Sequence, residues 1–181
     1  MNRVLAAPVP ATPHPWVIYC DGSAMPNPGQ MGLGAVLTEP DGTRHTLSQA
    51  THTKGCNNEA ELRALMAALR ALQARGATAL LVYSDSSILV EQLGDVGVKP
   101  IARLAALFEE ARALLKSFDH ARLQWIPRHR NGEADALARA ALGIAPKVLE
   151  SCRPMADMRR PPATDEQTLT GARSGKRQRS P

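Results

Sequence analysis

The stretch WVIYCDGSAMPNPG, residues 16–29, decides the fold, because it joins a short apolar strand to an acid and a turn. The apolar run from Trp16 to Cys20 predicts a buried strand. Asp21 follows at once, with Gly-Ser and a Pro-Asn-Pro-Gly turn behind it and no lysine nearby to neutralise it. An unpaired carboxylate at the end of a buried strand is costly. The pattern therefore indicates an acid kept there for a chemical purpose.

Length and composition predict one ordinary domain between two tails. The chain has 181 residues, of which 44% are hydrophobic. It holds no apolar stretch near the ~20 residues that a membrane span needs. We expect a flexible leader over residues 1–14, a folded domain over 15–145 and a disordered basic tail over 146–181. The tail either contacts phosphates or is an inert solvated end.

The three cysteines form no CxxC pair, which argues against a disulfide framework or a zinc site. A reducing, cytoplasmic setting fits them best. The net charge of +5 suits a polyanionic partner, although a solvated surface gives the same count. No aromatic stripe or heptad pattern indicates an obligate protein partner.

Hydrophobic periodicity predicts the element order βββαβααβα, a mixed sheet in which an antiparallel meander is followed by parallel strands and flanked by helices. The glycines of the second strand follow the order GxxGxG and precede a strand, so they indicate close packing rather than a dinucleotide site. Asn131 is the expected N-cap of the last helix. The predicted strands cover 16–21, 32–40, 41–52, 77–85 and 121–127, and the predicted helices cover 57–76, a short stretch from 86, about 100–117, and 131–143.

Asp85 repeats the pattern of Asp21, since it ends the continuous apolar strand ATALLVYSD, residues 77–85. Ligands bind at the carboxyl ends of strands in α/β sheets. The alternative for Asp85 alone is a helix N-cap. On the first helix, Glu61 lies about 40° from Leu65 on the buried side, at about 100° per residue. Glu59 lies on the solvated side, where it can pair with Arg63.

Asp135 is a fourth acid near an element end, although interaction with the dipole of the last helix explains it equally well. If the four carboxylates converge without basic partners, they repel one another unless divalent cations lie between them. Oxygen ligands select Mg²⁺ first and Mn²⁺ next. Two such ions support phosphodiester hydrolysis.

Four motifs occur in one order along residues 16–143: YCDGSAMPNPGQMGLGAVL, NNEAEL, YSDSSILVEQL and IPRHRNGEADALARAAL. Together they closely resemble the successive motifs of type 1 ribonuclease H. The resemblance implies the five-stranded ribonuclease H-like fold and Mg²⁺-dependent cleavage of the RNA strand of RNA–DNA hybrids, which leaves 5′-phosphate and 3′-hydroxyl ends. By motif, the resemblance assigns the metal ligands to Asp21, Glu61, Asp85 and Asp135.

The resemblance also implies residues that contact the substrate and aid product release. Asn57 and Asn58 have helix capping as an alternative role. His129 or its neighbour Arg128 takes the place of a loop histidine that many relatives carry on a longer loop. The substrate contacts implied are Gly22, Ser23, Asn27, Gly29, Asn57, Asn58, Ser87 and Arg128.

The segment GDVGVKPIARL, residues 94–104, is too short for the basic protrusion of some family members, so the chain resembles the compact subgroup without it. Two other functions stay open. One is a nuclease of the same fold that acts on other duplexes or as an exonuclease. The other is a non-catalytic nucleic-acid-binding module, for which loss of a carboxylate would be the usual signature.

Overall fold

The computed structural model describes residues 14–94, 99 and 101–145. The predicted leader, apart from residue 14, and the whole predicted basic tail lie outside this part of the chain. None of the helices described is long and apolar enough to cross a membrane.

The described residues form five strands and four helices in the predicted order βββαβααβα. Two 3-10 turns, Ala102–Leu104 and Arg128–Arg130, precede the third and fourth helices. The elements are β1 (Trp16–Met25), β2 (Gly29–Thr38), β3 (Arg44–Gly55), α1 (Asn57–Gln73), β4 (Ala79–Ser84), α2 (Ser87–Gly94), α3 (Ala105–Lys116), β5 (His120–Trp125) and α4 (Gly132–Ala140).

The strands form one mixed sheet in the order β3-β2-β1-β4-β5. β1, β2 and β3 pair as an antiparallel meander, whereas β4 pairs parallel to both β1 and β5. This sheet, flanked by helices, confirms the predicted fold class. The parallel half explains why β4 is apolar almost throughout, because strands of this kind are buried between layers.

The main core lies between the sheet and α1. The leucines that recur along α1 are fully buried, which follows from their spacing of three and four residues. They pack with the alternate apolar residues of β1 and β2. The buried leucines are Leu62, Leu65, Leu69 and Leu72.

The sequence predicted that β1 ends at Asp21, but the strand continues to Met25. Its parallel pairing with β4 stops at Tyr19, whereas its antiparallel pairing with β2 runs on, with Asp21 opposite Gly34. Backbone pairing does not depend on side-chain polarity, so β2 extends β1 beyond the apolar run. Asp21 therefore stands where β1 leaves β4, inside a hairpin strand.

α4 packs directly on β2, where glycine leaves room for its backbone. A β carbon on Gly34 would lie 2.2 Å from the carbonyl oxygen of Ala134. Because Gly34 pairs with Asp21, this contact brings the first turn of α4, with Asp135, towards Asp21. The glycines of β2 serve close packing, as the sequence indicated.

Candidate functional site

Asp21 is the centre of an acidic site. Its side chain lies in β1 and the residue is only 7% exposed. The pKa of this carboxyl is raised to about 8: burial is the largest cause, the charge of Asp85 is the next, and the charges of Glu61 and Asp135 add to them, against a hydrogen bond from the Gly22 amide. Asp85, Glu61 and Asp135 therefore each lie within electrostatic reach of Asp21.

Glu61 approaches Asp21 because the start of α1 packs on β1. Burial raises the pKa of Glu61 and the charge of Asp85 adds to it, whereas a hydrogen bond from the Ser86 hydroxyl and the charge of Arg128 lower it. The sequence did not point to Ser86. The resemblance indicated Ser87, which is exposed at the first position of α2.

The other glutamate of this turn has the role that its helical angle predicts. Glu59 pairs with Arg63 one turn along α1, with 2.9 Å between Oε1 and Nε. Glu61, on the buried side, is the glutamate that faces the acids. The periodicity of α1 alone therefore distinguished the two.

Asp85 directly follows β4 and is held by two neighbours. Its Oδ1 accepts a hydrogen bond of 2.5 Å from the Asn131 amide, and its backbone carbonyl accepts one of 3.2 Å from the Trp125 indole. The N-cap alternative for Asp85 is wrong. The Ser86 hydroxyl accepts the hydrogen bond from the Leu89 amide instead.

Asp135 lies in the first turn of α4, and Arg128 reaches it with 3.4 Å between Nη2 and Oδ1. The expectation that the acids have no basic partner is therefore wrong for Asp135. The Arg128 side chain is 70% exposed, so water screens its charge and the neutralisation is weak. The charge of Arg128 also reaches Glu61, where it lowers the pKa against the effect of burial.

Asn131 occupies the N-cap position of α4 that the sequence predicted, but its side chain has a role that the sequence did not reveal. The side chain makes no capping hydrogen bond and is buried in the molecule. The amide nitrogen donates to Asp85 and, at 3.0 Å, to the carbonyl oxygen of Cys20. An asparagine before a helix is so typical of a cap that the sequence offers no signal for this inward orientation.

The predicted substrate residues gather beside β1 and the start of α1. The side-chain oxygen of Asn57 accepts a hydrogen bond of 2.8 Å from the Ala24 amide, and Asn27 accepts one of 3.2 Å from the Asn57 amide. Capping of α1 by Asn57 is not observed, because the N-cap position is Cys56. The turn after β1 and the start of α1 are thus joined into one surface.

The other predicted contacts are spread around that surface. Ser23 and Asn58 are half-buried, whereas Gly29 is buried at the start of β2. His129 is exposed in the 3-10 turn that leads to α4, between Arg128 and Arg130. The structure therefore places His129 at the edge of the site rather than among the four acids.

The donor set fits a hard divalent cation in its chemistry, since the four acids supply only oxygen ligands. Within residues 14–94, 99 and 101–145, however, no three His, Cys, Asp or Glu side chains are grouped closely enough to hold an ion as they stand. Burial is the main cause of the raised pKa of Asp21, and repulsion by the neighbouring acids, which a cation would relieve, adds to it. The other three acids thus lie near Asp21, but the four side chains do not together form a coordination site in this arrangement.

Residues 19–141 match the protein family described as Reverse transcriptase-like. Ribonuclease H of Rhodopseudomonas palustris is 34% identical, over 73% of this chain and 88% of its own. A bifunctional protein of Mycobacterium tuberculosis is 36% identical over 86% of this chain, but the match spans only 42% of its length.

Solved structures show the same similarity. Ribonuclease H1 of Halobacterium salinarum is 33% identical with a TM-score of 0.66, over 71% of this chain and 97% of that chain. LC11-RNase H1, solved in complex with an RNA/DNA hybrid, is 32% identical with a TM-score of 0.63, over 71% of this chain and 96% of that chain.

Proposed function

The chain belongs to the ribonuclease H family, and from this premise we propose that it hydrolyses the RNA strand of RNA–DNA hybrids. The products would carry 5′-phosphate and 3′-hydroxyl ends. One observation supports this most directly: the charges of three acids, in α1, after β4 and in α4, reach the buried Asp21 and add to the rise in its pKa that burial causes. The complex of LC11-RNase H1 with a hybrid supports the choice of substrate.

The proposed cofactor is a pair of Mg²⁺ ions, for which Mn²⁺ can substitute. Asp21, Glu61, Asp85 and Asp135 would hold them. When bound, two such ions make a nucleophile of water and stabilise the leaving oxygen of a phosphodiester. The chain's part is to hold the four carboxylates in place, with β1 in backbone contact with α1 and β2 in backbone contact with α4 at glycine positions.

Recognition of RNA requires close approach to 2′-hydroxyl groups across a shallow minor groove. The surface formed by Asn27 and Asn57 suits this, because it presents side-chain amides and a turn. The adjacent residues Gly22, Ser23, Gly29, Asn58 and Ser87 complete the proposed contact surface.

The segment between β5 and α4 supplies the basic groups of the proposed site. Arg128 and His129 are both exposed, and Arg128 reaches Asp135. We assign product release to His129 and phosphate contact to Arg128. Because the segment between α2 and α3 has no room for a basic protrusion, we expect weaker hybrid binding than in relatives that carry one.

Cleavage of end-labelled substrates with Mg²⁺ tests the proposal. The RNA–DNA hybrid is compared with duplex RNA, duplex DNA and single-stranded RNA. We expect cuts only in the RNA strand of the hybrid, with products that ligate or extend from a 3′-hydroxyl. Binding of the hybrid without cleavage by either metal would show instead a binding module on this fold.

The intracellular setting proposed is the cytoplasm, where the free thiols of Cys20 and Cys56 stay reduced.

A further inference from the structure

Asn131 is almost completely buried, at 1% exposure, although nothing in the helix that follows it needs its side chain. α4 begins at Gly132 and draws only on the backbone carbonyl of Asn131, which accepts a hydrogen bond of 3.1 Å from the Asp135 amide. An asparagine whose side chain forgoes capping has another role. Its contacts define that role.

The amide nitrogen of Asn131 has two acceptors. One is Oδ1 of Asp85 at 2.5 Å, and the other is the carbonyl oxygen of Cys20 at 3.0 Å. Both acceptors lack a proton to donate when Asp85 is ionised, so the nitrogen rather than the oxygen of the amide must face them. The orientation of this side chain is therefore fixed by its partners.

This arrangement is unfavourable for the amide oxygen of Asn131. Oδ1 of Asn131 is buried and has no hydrogen-bond partner in the part of the chain that the structure describes. A buried acceptor of this kind lowers stability.

The contacts of Asn131 reach two of the acids and the residue that precedes a third. It bonds to Asp85 itself, to the residue before Asp21 and, through its backbone, to Asp135. β1, the loop after β4 and α4 are thereby joined at one side chain. A hydrogen bond to an ionised carboxylate is also stronger than one between neutral groups.

We propose that Asn131 is a positioning residue of the acidic site. Its amide fixes the rotation of the Asp85 carboxylate by holding Oδ1, so that Oδ2 would be the oxygen that binds a divalent cation. This inference rests on the proposed function, since it assumes that Asp85 is a metal ligand. A residue that only joined α4 to β1 would affect stability but not the affinity for metal.

The test compares Asn131→Ala with the wild-type chain by calorimetric titration with Mn²⁺, without nucleic acid. The unfolding midpoint in EDTA and the cleavage of a hybrid are measured alongside. We expect the Mn²⁺ affinity to fall about 10- to 100-fold, as is typical when the partner of a metal ligand is removed. We also expect kcat to fall while the Kd for the hybrid in EDTA stays within about twofold, because the hydrogen bond does not touch the nucleic-acid surface.

Gln92→Ala is the matched control. Gln92 is also buried, at 6% exposure, and its amide donates 2.9 Å to the backbone carbonyl of Lys99, with no acid involved. This variant should lose stability but keep its Mn²⁺ affinity. If Asn131→Ala fails to fold, Asn131→Ser, which keeps a smaller polar group, takes its place.

Equal Mn²⁺ affinity in the wild-type chain and in the folded Asn131 variant would overturn the inference, whatever the change in stability. Absence of Mn²⁺ binding by the wild-type chain would overturn it as well. A wild-type chain that binds Mn²⁺ but cuts no hybrid would refute the proposed function alone. The comparison of affinities would then still decide the role of Asn131.

Discussion

Gly22 and Glu61 are in backbone contact: a β carbon built on Gly22 would lie 2.1 Å from the backbone nitrogen of Glu61. No other residue type fits at this point of β1. The contact sets the distance between β1 and the start of α1. It therefore also sets the approach of Glu61 to Asp21, the residue next to Gly22.

We expect Gly22→Ala to push α1 away from β1. Overpacking of this kind typically costs about 1–3 kcal/mol of unfolding free energy. Cleavage should fall more than stability does, because the substitution separates Glu61 from Asp21. Thermal unfolding and hybrid cleavage measured on the same preparation check both effects.

Gly94→Ala is the control for this substitution. Gly94 ends α2, and a β carbon there would meet no atom of the described residues within 4 Å. Its unfolding midpoint and cleavage rate should equal those of the wild-type chain or rise slightly. A fully active, fully stable Gly22→Ala protein would show that the spacing of β1 and α1 does not matter.

The stability of the metal-free protein should fall as the pH rises from about 4 to about 8. The pKa of Asp21 is raised from 3.8 to about 8 in the folded chain, so in this range the native state binds the proton that the unfolded state has lost. One proton changes the unfolding free energy by at most about 1.4 kcal/mol per pH unit. The raised pKa of Glu61 acts in the same direction.

Denaturant unfolding in EDTA at a series of pH values measures this effect against Asp21→Asn. The variant should show a smaller fall over the same range, because it has no carboxyl at this position. Mn²⁺ should make the unfolding free energy of the wild-type chain fall less steeply with pH. Parallel pH profiles for the two proteins would contradict the assignment of the fall to Asp21.

Arg128→Ala should weaken hybrid binding with little change in stability. Its exposed ion pair with Asp135 contributes less than about 1 kcal/mol, whereas a lost phosphate contact lowers the salt slope of binding by about 1. Arg75→Ala removes the same charge beyond the far end of α1 and serves as the control. If the two substitutions weakened hybrid binding equally, only the net charge of the protein would matter, and the phosphate contact assigned to Arg128 would be contradicted.

Trp125 should report on the site through its fluorescence. Its indole nitrogen donates to the carbonyl oxygen of Asp85 and the residue is 54% exposed, whereas Trp16, the other tryptophan of the chain, is 9% exposed. In a Trp16→Phe background we expect Mn²⁺, a paramagnetic quencher, to reduce the emission of Trp125. Unchanged emission at saturating Mn²⁺ would place the ion away from Asp85.

The fold was largely predictable because its signals are local. The leucine spacing of α1 and the continuous apolar run of β4 each predicted the element that forms. The end of β1 was not predictable from polarity, since the strand continues through Asp21 by pairing with β2. Pairing partners distant in sequence decide such ends.

The site was predictable where helical geometry or strand position determines a side chain's direction, as for Glu61 and Asp85. The inward orientation of Asn131 was not, because it depends on how closely α4 approaches the ends of β1 and β4. The bonds between Asn57 and the turn after β1 also join residues about thirty positions apart. Propensity assigns such residues to caps, and only the assembled fold shows their partners.

The most direct test of the central claim is the cleavage of a labelled RNA–DNA hybrid by the wild-type chain and by Asp85→Asn, each with Mg²⁺ and each checked for folding and for hybrid binding. We predict that the wild-type chain cuts the RNA strand. The folded variant should still bind the hybrid. Its activity should fall by more than the roughly 10- to 100-fold that is typical when a residue that only orients a metal ligand is lost. Cleavage by the variant at the wild-type rate would contradict the claim that the acids around Asp21 carry the reaction.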